Sequence, residues 1–512
     1  MHLAPANPPL LRGPGLISRL PNELLLQIFE AIPADYDEQC RVFSAIARVS
    51  HQFYRLITPL LYRSFEDCCP KHVHSFAYTL FAREDRALLV KHFKGRKRHD
   101  FDVVKRAGCS ESWDTPAVDP ELVLSAGKQV SSLSEQDVSL PLIAFSLSCI
   151  CLNIQWLDVT DGIQYLLTRL HSETSGNVLR PSTAFHQVHI LSITLDLDRS
   201  FELRSISLLF NLPRLRGLTI RKGAMTLREE QLFAQPSFSE TWQCNWQDST
   251  VEELTFEESC LPVEWIEAAV MSCKTLKHFQ HEYYYWSNHK NVYPRLFHAL
   301  AKHQESLVYL RINELNGCKM YSEDQLEPDE PVSFANYESL TYLDIPLFFL
   351  SIKTSRRLVQ DILPSTLQVF NIDVRSAREG FSDLFFISLA WATHAYLPSL
   401  RSVEVICRIE EYSRNGYIPM HFSQLRKMFA SHGVRFMYHL EFVSCEFKAA
   451  YMEPLLKTLR GSGTEGSELA AHSSLEEGCL GLCDNRSPDA RQSRHQWGYL
   501  QPWPGPSEFE LV

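Results

Sequence analysis

Apolar residues run along this chain in two different rhythms. Between residues 20 and 65 they recur at three and four residues: Leu24, Leu25, Ile28, Phe29 and Ile32 make one run, and Val42, Phe43, Ile46, Val49 and Phe53 make another. That spacing predicts amphipathic helices. Leu20-Pro21-Asn22-Glu23 starts the first, because proline gives up no N–H that a first turn could use, and an acid suits the positive end of a helix. Pro33 ends it, and Ala34 to Glu38 makes a polar connector. A short third helical piece carries Tyr54, Ile57, Leu60 and Leu61, with Thr58-Pro59 tightening the turn. Three short helices with more apolar surface than about 45 residues can enclose predict a docking module whose spare face a partner covers.

From about residue 150 the rhythm changes to apolar, two residues, apolar, one residue, apolar. Ile154-Leu157-Val159 is the first copy, followed by Val188-Leu191-Ile193, Leu215-Leu218-Ile220 and Val251-Leu254-Phe256. Leu276-Phe279, with His281 in the third place, Leu307-Leu310-Ile312 and Leu340-Leu343-Ile345 continue it. Leu367-Phe370-Ile372, Leu400-Val403-Val405 and Met437-Leu440-Phe442 complete ten copies. Each predicts a strand, and helical spacing fills several gaps between them: Val263 to Ser272, Tyr293 to His303, Thr354 to Ile362, Leu384 to Thr393 and Phe422 to Ala430. Many strands are announced by Leu-Pro-x-Leu, as at Leu212 to Leu215 and Leu397 to Leu400. One strand and one helix bury little alone, whereas stacked neighbours share a continuous core.

The order Leu20-Pro-x-Glu-Leu-Leu-x-x-Ile-Phe, a proline after the first helix, Ala47-Arg48-Val49-Ser50, an aromatic at Phe53 and a closing Pro59-Leu-Leu-Tyr62 resembles the F-box, especially its fungal-type variant. Phe53 stands where the F-box usually has tryptophan, and the connector after Pro33 is several residues longer than the common form. The ten-copy region resembles a degenerate leucine-rich repeat, with a mean interval of about 31 residues against roughly 20–29 in a typical one. The Asn or Cys that usually follows the strand is mostly missing, Ser259 and Cys445 being the clearest occupants of that slot.

The expected architecture is therefore α/β: a short three-helix F-box module followed by a leucine-rich-repeat-like solenoid of parallel strands and helices. The expected divisions are a flexible leader at 1–15, the helical module at 16–66, the repeat domain at 67–460 and a disordered acidic tail at 461–512. Residues 67–150 are read as an atypical first repeat, with Phe76 to Leu80 and Leu88 to Val90 as its apolar parts.

The F-box resemblance implies docking to the Skp adaptor and through it to a cullin scaffold. The chain would be a substrate-recognition subunit of a Skp–cullin–F-box ubiquitin ligase, with no catalytic residue of its own and a protein substrate held by the repeats. Leu20, Pro21, Leu24, Leu25, Ile28, Phe29, Val49 and Phe53 are the candidate adaptor contacts, shared with the module's own core. Tyr283-Tyr284-Tyr285-Trp286, directly after a predicted strand, is a candidate substrate anchor, since large aromatics hold partners well; packing over the next repeat explains it equally. The alternative is a repeat scaffold that binds partners without a ubiquitin role.

Composition narrows the remaining classes. The chain has 512 residues, 45% of them hydrophobic and 22% charged, which suffices for a large core. A formal charge of −11 argues against nucleic acid as the main partner. Fourteen cysteines, scattered and without a secretory signal ahead of them, read as reduced thiols of the cytosol or nucleus. Val138 to Leu157 has no charge, but Pro141, its serines, Asn153 and Gln155 predict a buried helix running into a buried strand and no membrane span.

No phosphate-binding glycine loop, His-Glu-x-x-His or Gly-x-Ser-x-Gly occurs, and no cofactor is expected. Cys68-Cys69 with His72 and His74 lacks a second pair at zinc-site spacing, so no metal is expected either. Lys91 to Arg98 reads as a solvated basic loop, with a nuclear-import or acid-binding patch as the sharper option.

Overall fold

Helix-period sequence and strand-period sequence fold as two distinct kinds of structure. The computed structural model describes residues 17, 20–32, 36–66, 76, 79–80, 83–94, 151–159, 185–195, 206–221, 242, 244–259, 261, 263–283, 292–314, 332–350, 359–374, 383–409 and 422–442. The chain divides into two units, Met1–Ile406 with Pro419–Tyr438, and Cys407–Ile418 with His439–Val512. In the second, the described residues are 407–409 and 439–442, all in strands.

The first three helices are α1 (Asn22–Glu30), α2 (Tyr36–Ala47) and α3 (His51–Arg63). Helix α2 begins inside the predicted connector, at Tyr36. Helix α3 is longer than expected because Ser50 caps it, accepting the Phe53 N–H at 3.1 Å, and because it continues through Pro59. Proline there removes one intrahelical bond, and the Thr58 hydroxyl supplies a local one by donating to the Tyr54 carbonyl at 2.6 Å.

The strands are β1 (Ser64–Glu66), β2 (His92–Lys94), β3 (Trp156–Val159), β4 (Ile190–Thr194), β5 (Gly217–Arg221) and β6 (Glu253–Ser259). They continue with β7 (His278–Tyr283), β8 (Tyr309–Glu314), β9 (Tyr342–Pro346), β10 (Val369–Asp373), β11 (Ser402–Ile409) and β12 (Arg435–Phe442). All twelve form one sheet whose spatial order is the sequence order. A one-turn helix, α4 (Glu84–Ala87), precedes β2. Helices α5 (Val263–Ser272), α6 (Val292–Leu300), α7 (Asp383–Ala395) and α8 (Phe422–Ser431) follow strands later in the chain, as parallel pairing demands of its crossovers.

Nine of the ten predicted signatures lead into strands β3 to β11 in register. The first apolar residue closes a tight turn before the strand: Leu215 N–H reaches Leu212 O at 3.3 Å and Leu400 N–H reaches Leu397 O at 3.1 Å, which explains the Leu-Pro-x-Leu approach. The next carbonyl then takes two N–H groups of the following repeat, as Gln155 O does from His189 and Ile190 and Gln368 O does from Arg401 and Ser402. The second place forms a continuous apolar row through Leu157, Leu191, Leu218, Leu254, Phe279 and Leu310. That row is fully buried, with Phe256 of the third place meeting Trp265 of α5 edge to face at 5.7 Å.

Three expectations need correction. Residues 64–66 and 92–94 are strands, so Lys91–Lys94 is no solvated loop: Phe93 is buried and pairs Phe65 on one side and Leu157 on the other. The tenth copy sits earlier than its signature, since β12 begins at Arg435 and Phe436 is the buried residue, stacked on Phe429 of α8 at 5.1 Å. Within the helix predicted for Thr354 to Ile362, the described part is a single 3-10 turn, Val359–Asp361. Residues 67–75, 138–150, 321–331 and 461–512, which carry the Cys/His cluster, most of the uncharged segment, nearly all of the acidic insertion and the tail, lie outside the described residues. No helix among the described residues is long and apolar enough to cross a membrane.

Candidate functional site

Two surfaces carry unusual chemistry. The first belongs to α1–α3. Leu25, Phe29, Phe43, Phe53 and Ile57 make a core of their own, with Phe29 and Phe53 edge to face at 5.7 Å, and Leu20 packs against it half-buried. Leu24 and Ile28, offset by one residue from Leu25 and Phe29, take the neighbouring face of α1. They stay 45% and 50% exposed, and Val49 in the α2–α3 turn is 69% exposed. Pro21 and Tyr54 are exposed too. A hydrogen bond from Gln52 Nε2 to Asn22 Oδ1 at 3.0 Å ties the start of α3 to the start of α1, bringing the Val49 turn towards Pro21 and Leu24.

The structure thus divides the eight candidate adaptor residues. Leu25, Phe29 and Phe53 fill the unit's interior, Leu20 lies at its edge, and Pro21, Leu24, Ile28 and Val49 face outward. Of the aromatic candidates, Tyr283 is the buried last residue of β7, beside Ser259 and Glu314. Tyr284, Tyr285 and Trp286 lie outside the described residues.

The second surface was not singled out from sequence. On the sheet face opposite the apolar rows, the residue between the second and third places is polar in nearly every repeat. In register these are Glu66, Lys94, Asp158, Ser192, Thr219 and Thr255, then Gln280, Arg311, Asp344, Asn371 and Glu404. The signal was in the sequence, in the one polar residue enclosed by each signature, but only the strand register turns it into a row.

Along this face cations are held by more than one acid. Arg221 meets Asp158 at 3.1 Å and Glu257 at 2.7 Å, and Arg311 meets Asp344 at 3.2 Å and Glu282 at 3.6 Å. Burial pushes the Asp344 carboxyl up to about 6 despite Arg311, and Asp373 and Glu404 push the same way. Burial likewise raises Asp158 and Glu282. Tyr309 and Tyr342 stack at 4.3 Å beside them, and Asn371 Nδ2 donates to Tyr342 Oη at 2.8 Å.

A nucleophile–base contact occurs at Ser64 Oγ and His92 Nδ1, 3.1 Å apart, at the edge of a cavity of 380 Å³ lined also by Glu30, Cys40 and Arg63. The two residues are directly opposed partners of β1 and β2, so the contact is a cross-strand pair of the kind that stabilises sheets. Among the described residues no group of three or more His, Cys, Asp or Glu side chains is placed to hold a metal ion. The chain matches none of the protein-family models and none of the curated proteins it was compared with.

Proposed function

We propose that this chain is a substrate receptor of a Skp–cullin–F-box ubiquitin ligase, with α1–α3 as an F-box that docks on the Skp adaptor and the parallel sheet as a leucine-rich-repeat-like solenoid that holds a protein substrate. The observation that carries the proposal is the outward apolar patch of Pro21, Leu24, Ile28 and Val49, on a unit that already has a closed core of its own. A large apolar residue left in water beside a complete core gains free energy only when something covers it. The ordered motif from Leu20 to Tyr62 names the cover.

The ligase reading gives the receptor no bond-breaking chemistry. It would work by holding a substrate lysine near a ubiquitin-charged enzyme carried by other chains, which converts a bimolecular encounter into a positioned one. Leu24→Asp with Ile28→Asp should abolish co-purification of the Skp adaptor while the far-UV circular dichroism stays that of the parent chain. An adaptor that still co-purifies at parental yield would overturn the proposal and leave a repeat scaffold without a ubiquitin role.

A further inference from the structure

We propose that the cavity where the last turns of α1 and α3 and one side of α2 meet the start of the sheet binds a free α-amino acid with a large apolar side chain. The chain path accounts for the space. Helix α3 runs straight into β1, Arg63 ending the one and Ser64 beginning the other, and Ser64 is paired across the ladder with His92 of β2. The helical unit closes its core further up α3, at Phe53 and Ile57, so the last turn of α3 lies between that core and the sheet. The cavity at this junction has a volume of 380 Å³, within the range of small-molecule sites.

Its lining supplies three kinds of surface. Phe43, Leu60 and Leu61 are apolar, and the two leucines are only half-buried by the protein itself. Ser64 and His92 are polar and engage each other at 3.1 Å; burial, with Arg63 and Lys91 close by, lowers the imidazole's pKa and keeps it uncharged at neutral pH. Glu30 and Arg63 carry opposite charges, with side chains 53% and 47% exposed and 3.6 Å apart, too far for a hydrogen bond. Elsewhere in the chain such pairs close to 2.6 Å, as at Arg216–Glu252 and Arg295–Glu264. A ligand that enters this loose pair must suit both members, because satisfying one alone leaves the other with a poorer partner. An α-amino acid carries an ammonium for Glu30 and a carboxylate for Arg63 on one carbon, and it adds no net charge. Its side chain then determines how much of Phe43, Leu60 and Leu61 leaves water, which favours a large apolar one.

This binding activity goes beyond the ligase reading and does not rest on it. Calorimetric titration of L-phenylalanine into the full chain at neutral pH tests it, beside three probes that each lack one feature. L-phenylalaninamide has no carboxylate, 3-phenylpropionate has no amine, and L-alanine has no large side chain. L-phenylalanine should bind saturably at one site, and each of the other three at least about tenfold more weakly. Arg63→Gln should lose about tenfold for L-phenylalanine and keep the parent's weak affinity for the amide within about twofold. Glu30→Gln should lose as much for L-phenylalanine and keep the parent's affinity for 3-phenylpropionate within the same margin. Failure of the parent chain to bind L-phenylalanine saturably would overturn the inference. Equal affinity for L-phenylalanine and its two one-charge analogues would do the same, as a peptide terminus in place of a free amino acid would need no carboxylate. So would parental affinity for L-phenylalanine in both variants.

Discussion

The sheet and the helical unit dispose of their apolar residues in opposite ways. In the sheet every second-place residue from Phe65 to Val403 is buried: from Phe93 onward each repeat lies between two others, and Phe65, on the edge strand, is covered by Phe93 and Phe76. In the helical unit the alternate pairs split: Leu25 and Phe29 go in, Leu24 and Ile28 stay out. A repeated element finds its cover in its neighbours, whereas a three-helix unit has one interior and whatever apolar surface exceeds it must wait for another chain. The difference leaves an outward apolar patch on the helical unit, at Leu24, Ile28 and Val49, that has no counterpart among the second-place residues of the sheet.

The comparison can be broken most severely in the sheet. Phe256→Ala removes a ring that lies against Trp265 and Phe279, and it should cost about 3–5 kcal/mol in denaturant unfolding. A cost below about 1 kcal/mol would mean that the row is not the closed core described.

His281, in the third place where other repeats have Val, Ile or Phe, should give the sheet a pH dependence. Burial holds its imidazole down to about 3, so the folded chain keeps it neutral while an unfolded chain takes up a proton near the ordinary 6.5. The unfolded state therefore binds the extra proton between these values. This contribution to stability is complete above about pH 6.5 and is lost as pH falls towards 3, by at most about 1.4 kcal/mol per unit. Asp344 acts in the opposite sense, since its raised carboxyl gives a contribution complete below its ordinary value and lost as pH rises through about 6. Denaturant midpoints of His281→Ile against pH should lack the acid-side decline of the parent, and a curve parallel to the parent's would refute the assignment.

In the helical unit the expected effects are smaller. Ser50→Ala removes the cap of α3 and should cost about 1 kcal/mol in thermal unfolding followed by circular dichroism. Leu24→Ser with Ile28→Ser should move the same transition by no more than about 0.5 kcal/mol, because substitutions at open surface sites seldom do more. A loss comparable to that of a core truncation would show that these residues belong to the interior and not to a docking face.

Much of the sheet was legible because its signature repeats a local requirement: a turn-closing apolar residue, then two inward residues flanking one outward. Strands β1 and β2 escaped because they have only the first two places, Tyr62-Phe65 and Val90-Phe93, with Asp67 and Gly95 in the third. The tenth copy slipped because Val434 and Phe436 and the chosen Met437-Leu440-Phe442 both read as strand, and only packing against Phe429 decides between them. Thr58-Pro59 suggested a turn because proline usually ends helices, but a cap at Ser50 and the rest of α3's packing outweigh one missing bond. The candidate adaptor surface was legible as a set and not as a partition. Adjacent apolar residues at 24–25 and 28–29 leave open which pair faces inward until α3 is placed against α1.

The central claim is that α1–α3 keep an apolar face for an adaptor. Calorimetric titration of purified Skp adaptor into the full chain tests it most directly, run beside the Leu24→Asp with Ile28→Asp variant. A saturable one-to-one complex for the parent, weakened at least about 100-fold in the variant, is the predicted result. No heat of binding with the parent, or equal affinity for both chains, would contradict it.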